Sequence, residues 1–163
     1  LARALSALWG IKWLRSDVVR KELHGLAGQK AAAPFGKGIY NQETTQKTYQ
    51  LLAEQTGAAI VSGSSVIVDA ASLRAENREL IYEVAKSHGV PVRLVVCRAP
   101  WPVLEENLRK RAADGVDVSD ADIEIARCQR FESPTQDELE KTSWLEIDTR
   151  KDLVEQLYQL VSA

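Results

Sequence analysis

The apolar positions of the chain alternate between two periods. Leu1, Leu5 and Leu8 recur at helical spacing before Gly10, a residue suited to the left-handed turn that follows a helix. Ile11 to Leu14 is a short strand candidate. Arg15-Ser16-Asp17 then leads into a helix in which Val18, Val19, Leu23 and Leu26 can face a core, with Ser16 or Asp17 as its N-cap. Residues 27 to 40, with Gly28, Pro34, Gly36 and Gly38, read as a loop. Beyond it Tyr49, Leu52, Ala53, Ala59 and Ile60 mark a long helix closing near Gly63.

Val66-Ile67-Val68-Asp69 places three apolar residues in a row without alternation, as in a strand buried on both faces. Leu73, Leu80, Ile81, Val84 and Ala85 form a helix ended by Gly89, and Val92 to Cys97 form a second buried strand opened by Pro91. A helix from about Pro102 to Ala113 holds Leu104 and Leu108. A polar stretch from Asp114 to Ser119 follows, and Ile123, Ala126 and Cys128 lie in a further helix. Trp144 to Ile147 supplies the last strand, and Leu153, Leu157, Leu160 and Val161 the last helix. This order predicts an α/β fold, a three-layer sandwich around a parallel sheet with right-handed crossovers. In such sheets ligands bind beyond the carboxyl ends of the strands.

Composition narrows the picture. The 163 residues fit one domain, with no repeat or linker to divide them. With 45% apolar and 27% charged residues the chain lies outside the disordered and fibrous classes. A net charge of -2 argues against general nucleic-acid binding, which needs a basic excess or stripe. Apolar runs such as Ala58 to Val61 and Leu94 to Cys97 are too short to cross a membrane. The N-terminal Leu/Ala stretch is broken by Gly10, Lys12 and Arg15 before any signal-cleavage site, so a cytoplasmic location is expected. Cys97 and Cys128, without CxxC spacing, are expected to be reduced core thiols. A leucine in first place and the lack of any methionine point to a processed or cut chain.

Candidate chemistry collects at the strand ends. Asp17 follows Leu14 by three residues, Asp69 directly follows Val68, Arg98 follows Cys97, and Asp148 follows Ile147. Each carboxylate has a plainer reading as a helix cap or loop group. Ser65 to Asp69 approximates the hhhhD arrangement in which a buried strand holds an acid toward Mg²⁺ in nucleotide-triphosphate enzymes. The companion G-x-x-x-x-G-K-[ST] loop does not occur: Gly36-Lys37 is followed by Gly38, and Ala31 stands at the first glycine position. No G-x-G-x-x-G motif occurs either. Asp17 and Arg20, three apart at a helix start, can face one pocket mouth. Arg109, Lys110 and Arg111 form either a solvated helix end or part of a lid that delivers an arginine to phosphates.

Together these residues resemble the small P-loop kinases of the AAA-domain type, related to gluconate kinase, chloramphenicol phosphotransferase and the kinase domain of polynucleotide kinase. The resemblance rests on Leu1 to Leu5, Leu14 to Lys21, Tyr40 with Thr48-Tyr49, Ser65 to Ala70 with Leu73-Arg74, Cys97 to Pro100, Arg111, and Ser119 to Asp122. It covers nearly the whole chain. It implies a P-loop kinase-like domain over 1–163, with a lid region over 107–132, in which the helix at Leu1 directly follows the phosphate-binding loop. The family's first strand and Walker A loop would then lie upstream of Leu1, and a fused upstream domain is a further expectation. Asn107 departs from the family's R-L-x-x-R lid pattern, whereas Arg111 keeps its second arginine.

The resemblance also implies roles. Asp17 corresponds to the base that orients the acceptor hydroxyl, and Arg20 to an acceptor-binding residue, with Arg74 a further acceptor-side candidate. Asp69 corresponds to the acid near Mg²⁺ or its waters, and Arg111 to the lid residue that contacts ATP and offsets charge on the transferred phosphoryl group. The expected activity is ATP-dependent phosphoryl transfer to a hydroxyl of a small-molecule acceptor, with ATP and Mg²⁺ as cofactors. This 163-residue chain alone is expected to be inactive. The alternative is a nucleotide-binding or regulatory module of a larger fusion.

Overall fold

In the computed structural model, which describes residues 1–26, 38–114, 123–151 and 156, the first leucine stripe forms helix α1 (Ala2–Trp9). Gly10 closes it with φ +66°, the left-handed geometry that costs a residue without Cβ least. Strand β1 (Lys12–Arg15) follows and passes directly into helix α2 (Ser16–Leu23). The N-cap of α2 is Arg15, which makes no side-chain cap bond, rather than Ser16 or Asp17 as expected. The strand persists one residue further than its apolar pattern, so the extended backbone of Arg15 is the last non-helical unit. Asp17 thereby falls inside the first turn of α2.

A short 3-10 turn, Gly38–Tyr40, precedes helix α3 (Gln42–Val61). The side chain of Asn41 accepts a 2.8 Å bond from the Thr44 amide and so satisfies one orphan donor at the start of α3. Strand β2 (Val66–Asp69), helix α4 (Ala75–Ser87), strand β3 (Arg93–Arg98) and helix α5 (Trp101–Asp114) succeed one another as expected. Helix α6 (Ile123–Cys128), helix α7 (Gln136–Lys141) and strand β4 (Ser143–Asp148) complete the described elements. The rest of the expected 27–40 loop, most of the polar stretch after Asp114, and the final helix lie outside the described residues.

Among the described residues all strand pairing is parallel. Strand β1 pairs with β2, setting Lys12 opposite Val66 and Arg15 opposite Asp69, and β3 pairs with β4, from Arg93 opposite Ser143 to Arg98 opposite Asp148. Among the described residues the four strands form two pairs, β1 with β2 and β3 with β4. The main core lies where Leu14, Val19, Tyr49 and Leu52 meet, with Val66, Val68, Leu80 and Ile81 packed against them. Leu52 is fully buried, and α3 is the central helix, contacting α2, α4, β1 and β2. Burying four such side chains contributes on the order of 1.5–3 kcal/mol each.

Two expectations change. Cys97 and Cys128 are free thiols, but both are exposed. Cys97 is the penultimate residue of β3, beyond its covered middle at Val96, and Cys128 ends the short helix α6. Helix α7 has no counterpart in the apolar pattern. It is nucleated by a capping box, in which Thr135 Oγ1 accepts from the Glu138 amide and Glu138 accepts from the Thr135 amide. Among the described residues no helix is long and apolar enough to cross a membrane.

Candidate active site

The β1–β2 register brings two acids to one sheet end. Arg15 stands opposite Asp69, so α2 with Asp17 and the loop after Asp69 leave the same carboxyl edge. The Trp13 indole Nε1 donates to Asp69 Oδ2 at 3.0 Å, and the Arg15 guanidinium lies 4.8 Å from the centre of the Trp13 ring. One oxygen of Asp69 is therefore fixed by the neighbouring strand. Asp17 sits in the first turn of α2.

Arg20 lies one turn further and is only 7% exposed. Its Nη1 donates to the Ile39 carbonyl and to Thr45 Oγ1, each at 3.1 Å, and its guanidinium lies 5.2 Å from the centre of the Tyr40 ring. Its Nε is buried without a hydrogen-bond partner among the described residues. Desolvation pulls the Arg20 pKa down, while Asp17, Tyr40 and Tyr49 act in the opposite direction. An arginine remains cationic at neutral pH under such conditions. The arrangement is a buried cation held by neutral oxygens and an aromatic face, with Asp17 as its electrostatic counterweight. An anionic or polyhydroxylated ligand would relieve that imbalance.

The loop after β2 is held in an unusual shape. Ser72 has φ +46°, a left-handed conformation that costs a non-glycine residue on the order of 1–2 kcal/mol. Its amide donates to the Tyr49 hydroxyl at 2.9 Å, and its carbonyl accepts from Arg78 Nη1 at 2.9 Å. Burial raises the Tyr49 hydroxyl above its ordinary value, against the hydrogen bond from Ser72. Arg78 also grips Glu138 in a fork, Nε to Oε1 at 2.6 Å and Nη2 to Oε2 at 3.0 Å. The Leu73 carbonyl and the Ala75 amide are bound by Glu132, at 2.8 and 2.9 Å.

The predicted residues thus divide. Asp17, Arg20 and Asp69 lie at the joint carboxyl end of β1 and β2. Arg74 is exposed at the start of α4 and forms a 2.9 Å ion pair with Glu76. Arg109 and Lys110 are surface residues paired at 2.7 Å with Glu105 and Glu106, as in the plain reading of a charged helix end. Arg111, in the last turn of α5, differs in being half-buried. Asp148 is committed to its own turn: hydrogen bonds from the Arg150 side chain and amide bring its pKa down to about 2. Trp13 was not among the expected site residues. Its bond to Asp69 depends on strand register, which a single sequence does not contain.

Among the described residues no group of three or more metal-ligating side chains gathers. Mg²⁺ in phosphoryl-transfer sites is bound by one or two carboxylates, with phosphate oxygens and water completing its shell, so a lone Asp69 with one pinned oxygen fits that donor set. The sequence supplies no G-x-x-x-x-G-K-[ST] cradle for the phosphates.

The chain belongs to the AAA domain family, whose model matches residues 1–134. A sugar kinase from Janibacter sp. HTCC2649, solved unliganded, is similar with a TM-score of 0.67 at 16% identity, over 99% of this chain and 83% of its own. A gluconokinase from Sinorhizobium meliloti 1021 is similar with a TM-score of 0.56 at 15% identity, over 99% of this chain and 81% of its own. At these identities the likeness is one of fold, an α/β architecture with parallel strand pairing. A comparison with curated proteins finds no match.

Proposed function

We propose that the chain forms the acceptor-binding and catalytic-base side of an ATP-dependent phosphotransferase that acts on a hydroxyl of a small molecule. The observation that carries this reading is the buried Arg20, bound by neutral oxygens and facing the charge of Asp17, on the helix that leaves the same strand end as Asp69. ATP would supply the phosphoryl group, and Mg²⁺ would offset its charge. The Asp17 carboxylate would take the hydrogen bond and then the proton of the acceptor hydroxyl, whose oxygen would bond to the γ-phosphorus of ATP as the bond from that phosphorus to the bridging oxygen breaks and ADP leaves. Arg20 binds and orients the acceptor. Asp69, steadied by Trp13, would hold Mg²⁺ or its waters, and Arg111 would answer charge developing on the transferred group. Such a reaction depends mainly on positioning and electrostatics, which a few fixed groups can supply.

The sugar kinase and gluconokinase likenesses support a sugar or sugar acid as the first acceptors to try, and the Arg20 cation suits a carboxylate or several hydroxyls. In the full-length protein with Mg²⁺ and ATP, a panel of sugars and sugar acids is expected to include at least one that drives ADP release. ATP binding without ADP release from any of them would favour the alternative, a nucleotide-binding regulatory module.

A further inference from the structure

The loop between β2 and α4 is bonded from three sides. Ser72 is left-handed, and its amide and carbonyl are taken by Tyr49 and Arg78. Glu132 then takes both peptide units that flank Arg74. Its amide donates to the Leu73 carbonyl at 2.8 Å, and its carboxylate, 57 positions away in sequence, accepts from the Ala75 amide at 2.9 Å. Helix α4 has Arg74 at its N-cap and no side-chain cap bond from that residue, so Glu132 supplies the missing acceptor at its first turn. The segment that carries Glu132 is itself seated. The Phe131 ring lies 5.2 Å from the Arg78 guanidinium and 5.4 Å from that of Arg98, and Arg78 grips Glu138 beyond it.

The result is a fixed backbone beneath an exchangeable side chain. Arg74 has φ −105° and ψ 141°, with the peptide on each side bonded to Glu132, while its guanidinium is exposed and pairs with the exposed Glu76. A surface ion pair of this kind is weak, so a better-placed anion can displace Glu76. The loop also faces the acceptor side of the site, because the Tyr49 hydroxyl that holds Ser72 lies in the field of Arg20 and Asp17. We propose that Glu132 is a positioning residue for the acceptor: by fixing both peptides around Arg74 it aims that guanidinium at a carboxylate of the acceptor molecule, which replaces Glu76. The location of the acceptor rests on the phosphotransfer reading, but the role of Glu132 is one of binding and needs no turnover. An arginine on a fixed stem has already lost the backbone freedom that binding would otherwise cost. Charge and position here act in opposite directions. Glu76 chiefly, and Glu132 less, raise the Arg74 pKa. By charge alone, removing Glu132 tightens anion binding at Arg74; by position, removing it loosens that binding.

The test uses the full-length protein and D-gluconate as the carboxylate-bearing probe, with binding measured by calorimetry and exchange of the Ala75 amide by NMR. Glu132 is exposed, so its replacement leaves the core untouched. Glu132→Ala is expected to speed Ala75 exchange and to weaken D-gluconate binding, each by about tenfold, with ATP affinity held within about twofold. Glu132→Gln keeps an acceptor oxygen without the charge and should bind the probe as tightly as the unsubstituted protein or more tightly. Arg74→Ala should weaken binding by a similar factor, and adding Glu132→Ala to it should cost nothing further, because both act through one guanidinium. Tighter binding by Glu132→Ala, unchanged Ala75 exchange, losses that multiply in the double variant, or no binding of D-gluconate by the unsubstituted protein each overturn the proposal. The expected binding pattern without ADP release supports the role of Glu132 and counts against phosphoryl transfer to this probe. ADP release with an unchanged gluconate affinity in Glu132→Ala overturns the role of Glu132 and spares the phosphotransfer reading.

Discussion

Replacing Glu138 with alanine should be among the most damaging single changes in the described structure. The Arg78 and Glu138 side chains are 2% and 3% exposed and joined by a two-bond fork, and Glu138 Oε2 also accepts from the Thr135 amide at 3.0 Å. The variant leaves a buried guanidinium without its charge partner and removes half of the capping box of α7. Breaking a buried ion pair from one side costs about 3–5 kcal/mol, whereas replacing both partners with apolar residues of similar volume is often neutral or stabilising. Urea unfolding should therefore show Glu138→Ala losing about 3–5 kcal/mol, with Arg78→Met/Glu138→Leu recovering most of it. Arg78 chiefly holds the Glu138 carboxyl below its ordinary value of 4.5, against desolvation. A folded pKa below the unfolded one means that the stabilisation is present above about 4.5 and is lost as pH falls through the folded value. Glu138→Gln should flatten that part of the acid-side stability profile. A Glu138→Ala loss under about 0.5 kcal/mol, or a double variant as unstable as the single one, would refute the reasoning.

Trp13→Phe should keep the ring in place but free Asp69, costing about 1 kcal/mol in urea unfolding and weakening Mg²⁺-dependent ATP binding in the full-length protein more than Mg²⁺-free binding. Tyr49→Phe removes the acceptor of the Ser72 amide, so that amide should exchange faster, and about 1–2 kcal/mol of stability should be lost; an unchanged exchange rate argues against the bond. In an NMR titration the Asp148 carboxyl should titrate near about 2, and a midpoint at the ordinary aspartate value of 3.8 would contradict its commitment to Arg150.

Much of this molecule was legible in the chain before any coordinates. The strands fall within a residue of their apolar runs, because consecutive Val, Ile and Leu residues between helical stretches admit few other placements. Asp69 was findable because it follows its run directly, and Asp17 because it lies three residues after one. Register was not legible, and with it went the Trp13–Asp69 bond, which joins residues on different strands. The Arg78–Glu138 pair spans sixty positions of sequence and two helices, so neither residue looked unlike a surface charge. Helix α7 was legible in principle: Thr135-Gln136-Asp137-Glu138 is a capping-box signature, but it leads a segment whose one large apolar residue, Leu139, is exposed. The thiols were misplaced because an apolar run indicates a strand but not how far along it the covering helices reach.

The central claim is that Asp17 serves as the base of a phosphoryl transfer. Its most direct test is Asp17→Asn in the full-length protein, with acceptor-dependent ADP release and ATP affinity measured together. The substitution removes the proton acceptor while preserving size. It should lower turnover by about 10²–10⁴-fold while leaving the ATP dissociation constant within about twofold. Turnover that survives the substitution unchanged would contradict the assigned role and the mechanism built on it.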